Sequence, residues 1–339
     1  MKIAVRSLLA AGMLFALPAC TSTNLARPGQ LALGMVTDVG GLGDKSFNDS
    51  AYRGMLQAQR VLGAHISVLQ SRSAADYQPN LEALANEHVA MIYAVGFLMS
   101  KDLDQIAVDH PHQHFAIIDA VVNEPNVVSV TFREQDGSFL AGALAALMSR
   151  SKKIAFLGGE DIPLLHKFEA GYIAGAREID PRISVQVKYI GSFDDVAAGK
   201  ELANIVLDSG ADVIYAAAGK AGLGAIEAVQ ARPGAYAIGV DSNQDALAPG
   251  KILTSMVKRV NVAVFKVARA IAHGRPMSGH VVFGLKENGV GLTNFRFTKA
   301  QIGRANLARL AQLRQAIIAG RIVPPATRRA LAGFRPVAL

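Results

Sequence analysis

The stretch GDKSFNDSAYRG, residues 43–54, crowds acids, a lysine, a serine, an asparagine and a phenylalanine into a loop behind the apolar run 31–36. A phenylalanine left exposed in such a loop wastes apolar area. Phe47 therefore either packs on its own domain or forms one wall of an apolar-faced pocket. Ser46, Asn48 and Asp49 are candidates to cap a helix beginning near Ser50. A second phenylalanine, Phe193, sits among polar turn residues in Gly191-Ser192-Phe193-Asp194-Asp195, directly after the run 183–190. Asp119 closes the run 114–120 and Asp241 closes 236–241, each either an ordinary turn residue or an acceptor pointing into a cleft. Lys258 follows 252–257, and Gly219 lies in AAAGKAGLG, where small residues allow close backbone approach. Two facing aromatic rings can clamp a planar heterocycle, each stack contributing about 1–3 kcal/mol. Aspartates can accept from ring N–H groups or from a sugar diol. That combination suits a nucleoside.

Other chemistries fit less well. The glycines at 40, 41 and 43 permit a tight loop, but neither the Walker spacing nor GxGxxG is present. Asp38 and Asp44 there repel phosphate. HPHQH at 110–114 suggests metal ligation, yet it precedes an apolar strand on a turn. His65, His88, His110, His112 and His114 are read as surface or packing residues, with no metal and no cofactor expected. No nucleophile stands beside the carboxylates, which argues against a nucleosidase and for a protein that is not an enzyme.

These residues need a frame, and the chain supplies one. Short apolar runs at 31–36, 65–70, 89–96, 114–120 and 127–132 alternate with stretches of helical spacing. The pattern repeats at 153–159, 183–190, 211–219 and 236–241, then continues at 252–257, 280–285 and 289–295. Alternation of this kind predicts α/β architecture, with parallel sheets covered by helices on both faces. The repeat predicts two such lobes, and 339 residues exceed one typical core. Ligands in open α/β sheets sit outside the carboxyl ends of the strands, which is where the residues above fall.

The net charge of +8 is concentrated at the C-terminal end, where residues 288–339 hold nine Arg or Lys and no Asp or Glu. Such a run is ordinarily a solvated helix face. No aromatics interleave between Lys299 and Arg329, which excludes a stacking platform for nucleic acid. The N-terminal end is of another kind. MKIAVRSLLAAGMLFALPAC has a basic start and an apolar run from Ser7 to Ala19, too short to span a membrane but suited to a signal peptide. It ends Leu17-Pro18-Ala19-Cys20, which resembles a bacterial lipobox. The single cysteine, Cys20, is then an acyl acceptor that anchors the chain to a membrane facing the periplasm or cell exterior.

Taken together, VTDVGGLGDKSFNDSAYRG, FAIIDA, FREQDGSFLAGALAALMS, FLGGEDIPLL, YIGSFDD, AAAGKAGLGAIEA, AIGVDSNQ and ILTSMVKRV run in order from about Leu31 to Arg321. In this the chain resembles the bacterial basic membrane lipoproteins, substrate-binding lipoproteins of ABC importers that include purine-nucleoside receptors. The resemblance implies a type I periplasmic-binding fold, two α/β lobes joined by three crossings. It also implies roles: Phe47 and Phe193 sandwich the base, Asp119 bonds its edge, and Asp241 holds the ribose hydroxyls. Asp38, Asn48 and Lys258 complete the polar shell, and Gly219 lets backbone approach. The partners implied are a nucleoside, expected to be a purine one, and a membrane permease, with the protein a monomer that does not bind nucleic acid. The same fold holding a sugar or another small polar metabolite, or acting as an anchored sensor without transport, is the alternative. The expected organisation is a signal peptide at 1–20 and a tether at 21–30. A first lobe follows at 31–132 plus 242–277, a second at 133–241 plus 278–325, and a basic tail at 326–339. The crossings are placed near Thr131-Phe132, Asp241-Ser242 and Met277-Ser278.

Overall fold

A computed structural model describes residues 26–337. The expected signal peptide, Cys20 and the first half of the tether lie outside the described residues. The apolar runs become strands and the stretches between them helices. In the first half these are β1 (Ala32–Thr37), α1 (Phe47–Leu62), β2 (His65–Gln70), α2 (Tyr77–Asn86), β3 (Met91–Val95), α3 (Ser100–Asp109), β4 (Phe115–Ile118) and β5 (Val127–Phe132). The second half begins with α4 (Glu134–Met148), β6 (Lys153–Gly158), α5 (Pro163–Ile179), β7 (Ser184–Tyr189), α6 (Val196–Asp208), β8 (Val213–Ala217), α7 (Gly222–Ala231) and β9 (Tyr236–Asp241). Then come β10 (Ile252–Lys258), α8 (Val260–Ala272), β11 (Gly279–Phe283), β12 (Val290–Leu292), α9 (Lys299–Ile302), α10 (Arg304–Ile318) and α11 (Arg328–Ala332).

The strands form two six-stranded sheets, ordered β11-β5-β4-β3-β1-β2 and β12-β10-β9-β8-β6-β7. Every pairing is parallel except that of β12 with β10. Central strands such as β3, β4 and β8 are buried at every position, because helices cover both faces. This is the type I periplasmic-binding architecture. Among the described residues, no helix is long and apolar enough to cross a membrane.

The chain passes between the sheets after β5, after β10 and after β11. The last two crossings differ from the sequence expectation of Asp241-Ser242 and Met277-Ser278. β10 pairs with β9 and so belongs to the second lobe, whereas β11 pairs with β5 and belongs to the first. Periodicity marks 252–257 as a strand, but an apolar strand adds equally well to either sheet until its neighbour is known. The first lobe thus comprises 31–132 with α8 and β11, and the second 134–258 with the chain from β12 onward. The tail is no free extension, since α11 packs on α5.

One close helix pair fixes the geometry of each lobe. α8 meets α1 at Gly54, where an added Cβ comes within 2.7 Å of the Asn261 carbonyl. In the second lobe α4 and α5 touch backbone to backbone. A Cβ on Gly175 falls 1.8 Å from the Phe139 carbonyl oxygen, and one on Gly142 falls 1.9 Å from that of Tyr172. No side chain fits there without separating the helices.

Candidate functional site

The loop after β1 is organised by one acid. The Asp44 carboxylate accepts the backbone N–H of Ser46 at 2.8 Å, Asn48 at 2.7 Å and Asp49 at 3.1 Å, capping α1. The helix therefore starts at Phe47, not near Ser50, and Asp44 does the capping expected of Ser46, Asn48 or Asp49. Asp49 turns back to accept from Gly43 and Lys45. The Asn48 side chain turns to the site: its Nδ2 donates to Asp38 Oδ1 at 2.7 Å and to Asp44 Oδ2 at 3.3 Å. Asp38 also accepts from the Gly40 N–H at 2.9 Å. Burial pushes the Asp38 carboxyl up to about 7, against those two hydrogen bonds.

Asp119 follows β4 and Asp241 ends β9, and both take left-handed backbone conformations with φ of 73° and 60°. Non-glycine residues rarely adopt that region, and where they do it is often at functional sites. The Lys258 ammonium sits between them. It donates to Asp119 Oδ2 and lies 3.8 Å from Asp241 Oδ1 and 3.9 Å from Glu134 Oε1. Burial alone lowers the lysine pKa, but Asp119, Asp241 and Glu134 outweigh it and hold the ammonium charged. Burial pushes Asp241 up to about 6, tempered by Lys258 and by the Ser46 hydroxyl. Burial also pushes Glu134 up to about 7, tempered by Lys167 and Lys258. The same ammonium lies 4.7 Å from the Phe47 ring centroid and 5.4 Å from that of Phe168, a cation–π arrangement.

All eight expected residues (Asp38, Phe47, Asn48, Asp119, Phe193, Gly219, Asp241 and Lys258) line one cavity between the lobes. Phe47 enters from the first lobe and Phe193 from the second. The Phe193 ring rests on Gly159, where a Cβ would come within 2.4 Å of it. Gly219, at φ +55°, lies alongside Phe193. The cavity measures about 60 Å³, room for a few waters. Pockets for drug-sized ligands run roughly 300–1,000 Å³, so a larger solute enters only if the lobes part or Lys258 moves. Three buried acceptors in the lining have no hydrogen-bond partner: Asn48 Oδ1, Asp119 Oδ1 and Asp241 Oδ1. A buried acceptor left unpaired is costly, and a ligand rich in N–H and O–H groups removes that cost.

Several contacts tie the lobes at the mouth of the cleft. Ser46 Oγ donates to Asp241 Oδ2 at 2.8 Å, and Ser242 Oγ donates to the Ser46 carbonyl at 2.6 Å. Arg53 Nη2 donates to Ser242 Oγ at 2.7 Å, and Gln244 Nε2 to the Lys45 carbonyl at 3.2 Å.

Sequence reasoning missed Phe97, Phe168, Gly159 and Glu134. Phe97 follows strand β3 and was visible to the rule that located Phe47. Phe168 lies inside a helix and carried no signal. The histidines at 110, 112 and 114 line a separate depression at the far end of the first lobe. Among the described residues, no group of three or more His, Cys, Asp or Glu is placed to hold a metal ion.

Comparison with known proteins agrees with this architecture. The sequence profile described as ABC transporter substrate-binding protein PnrA-like matches residues 32–327, and the chain belongs to that family. It is a solute-binding protein of the ABC transporter type. An ABC transporter nucleoside-binding protein, BmpA, of Lactococcus lactis is 32% identical over 77% of this chain and 81% of its own length. A lipoprotein of uncharacterized function from Pyrococcus horikoshii is 37% identical over 80% of this chain and 71% of its own. The crystal structure of an ABC transporter solute-binding protein from Aeropyrum pernix superposes with a TM-score of 0.83 at 30% identity, covering 89% of this chain and 96% of that one.

Proposed function

We propose that the chain is the nucleoside-binding lipoprotein of an ABC importer, held to a membrane through Cys20 and working as a monomer that hands its solute to a permease. The observation that carries this reading is the trio of buried acceptors without a hydrogen-bond partner on Asn48, Asp119 and Asp241, in a cleft lined by Phe47 and Phe193. A purine nucleoside offers a flat face for the rings and donors for the acids. Phe47 and Phe193 stack on the base, Asp38, Asn48 and Asp119 bond its edge, and Asp241 holds the ribose diol. The name of the Lactococcus lactis relative points the same way.

Lys258 gives the mechanism its order. Its ammonium is bonded to Asp119 and lies over Phe47, so an incoming base displaces it from both. Asp241 and Glu134 stand within 4 Å to receive the charge. The ligand contacts both walls only when the lobes are shut, and that differential binding shifts the population toward closure. Titration calorimetry with purine and pyrimidine nucleosides, free bases and sugars tests the proposal. Purine nucleosides are expected to bind most tightly. Tight binding of a sugar with no response to nucleosides would replace this reading with a sugar receptor.

A further inference from the structure

The basic C-terminal segment grips the cleft from outside. Arg328 opens α11, whose start is capped by the Thr327 hydroxyl accepting from Ala330 N–H at 3.0 Å. Arg328 Nε donates to Glu169 Oε2 at 2.9 Å and Oε1 at 3.2 Å. Its Nη2 lies 2.8 Å from Glu169 Oε2 and 3.0 Å from Asp161 Oδ1. The guanidinium lies 5.4 Å from the centroid of the Tyr189 ring, and the Tyr189 hydroxyl donates to Glu169 at 2.6 Å. Farther along, Phe334 meets Phe139 edge-on. Glu169 is buried and adjoins Phe168, while Asp161 adjoins Ile162, and both of those neighbours line the cavity. One side chain thus holds both ends of the segment 161–169 that forms the apolar wall. A planar guanidinium with several fixed donors can span two carboxylates in this way, and an ammonium cannot match that geometry. The family match ends at residue 327, one position before Arg328.

We propose that Arg328 is a positioning residue for solute binding: through Glu169 and Asp161 it fixes the apolar wall of the cleft and so sets the affinity. The affinity part of the claim rests on the nucleoside reading above. The test compares the full-length chain with Arg328→Ala, Arg328→Lys and Glu169→Gln, using guanosine as probe and hydrogen exchange as a readout independent of ligand. Arg329→Ala, an exposed neighbour, serves as control. In Arg328→Ala we expect faster exchange in peptides covering 161–172, unchanged exchange in 31–62, and guanosine affinity weakened about tenfold, within the range for directly coupled side chains. Arg328→Lys and Glu169→Gln fall between it and the wild type, and they decide the matter if Arg328→Ala does not fold. Arg329→Ala behaves as wild type. Unchanged exchange at 161–172 would overturn the proposal. So would faster exchange with unaltered affinity, which is what a merely structural strap gives, or equal losses in the Arg329 control. A wild-type chain that ignores guanosine and every other nucleoside refutes the nucleoside reading instead, and the affinity comparison is then made with the solute that calorimetry finds to bind, exchange without an affinity change again overturning the proposal.

Discussion

The two lobes repeat one strand order, β11-β5-β4-β3-β1-β2 against β12-β10-β9-β8-β6-β7, so their strand ends can be compared position by position. β4 and β9 both lead to an aspartate in the left-handed region, Asp119 and Asp241. The other positions diverge. β1 is followed by Asp38, but its counterpart β6 is followed by Gly159, a flat seat for Phe193. β5 ends in Phe132, whereas β10 ends in Lys258. The first lobe brings Asp38, Asp44, Asn48 and Asp119 to the cleft. The second brings Ile162, Leu164, Leu165 and Phe168, together with Asp241 and the ammonium. A repeated scaffold therefore carries unequal walls: the first lobe sets most of the acids beside Phe47, Phe97 and Leu98, and the second is mainly apolar around Asp241 and Lys258.

Four experiments break or sharpen that contrast. The largest effect is expected from Lys258→Ala, which leaves the buried acids of both walls without their shared cation. A loss of about 3–5 kcal/mol in urea unfolding is expected, the usual cost of orphaning a buried charge. A loss under 1 kcal/mol would show that the acids are neutral without it. Next, Phe47→Ala and Phe193→Ala test whether the lobes grip equally, and calorimetry should show each weakening purine-nucleoside binding by about 1–3 kcal/mol. Unchanged affinity in both would remove the sandwich. The paired aspartates come third. Asp241→Asn should weaken adenosine by about 1.5–3 kcal/mol more than adenine, the scale of a hydrogen bond to a charged group, while Asp119→Asn should weaken both alike. Equal losses in the Asp241 variant would contradict its ribose role.

The smallest effect is on pH dependence. Asp38 and Glu134 are pushed up to about 7 and Asp241 to about 6, all chiefly by burial. Each holds its proton in the folded chain where the unfolded chain has already released it. Stability from these groups is complete below about pH 4 and is lost as pH rises through about 6 to 7. The Tm of the solute-free protein should therefore fall between about pH 5 and pH 8, and Asp38→Asn, on the polar wall, should flatten that fall. A slope identical to the wild type would place the proton elsewhere.

Much of this arrangement was legible in the sequence because strand ends are. Asp119 and Asp241 close apolar runs, Phe193 and Phe47 lie in the loops that leave such runs, and a parallel sheet brings all such ends to one edge. What was not legible depends on contacts across the chain. Membership of β10 and β11 turns on which neighbour completes their hydrogen bonding. Asp44 outcompetes the nominal capping residues because the glycine loop folds it back beneath the helix. Phe168 and Glu134 reach the cleft only through the packing of α4 on α5. The basic run is largely a solvated face, as its composition implies, and what the sequence does not show is that the exposed Arg328 reaches across to the buried Glu169.

The glycine contact between α4 and α5 has a mechanical consequence. α5 carries the cleft wall, and α4 begins where the chain first crosses between lobes. With their backbones touching at Gly142 and Gly175, the two helices have no compressible layer between them. A push on Phe168 would therefore move α5 and α4 as one body, and α4 begins at Glu134, next to the first crossing.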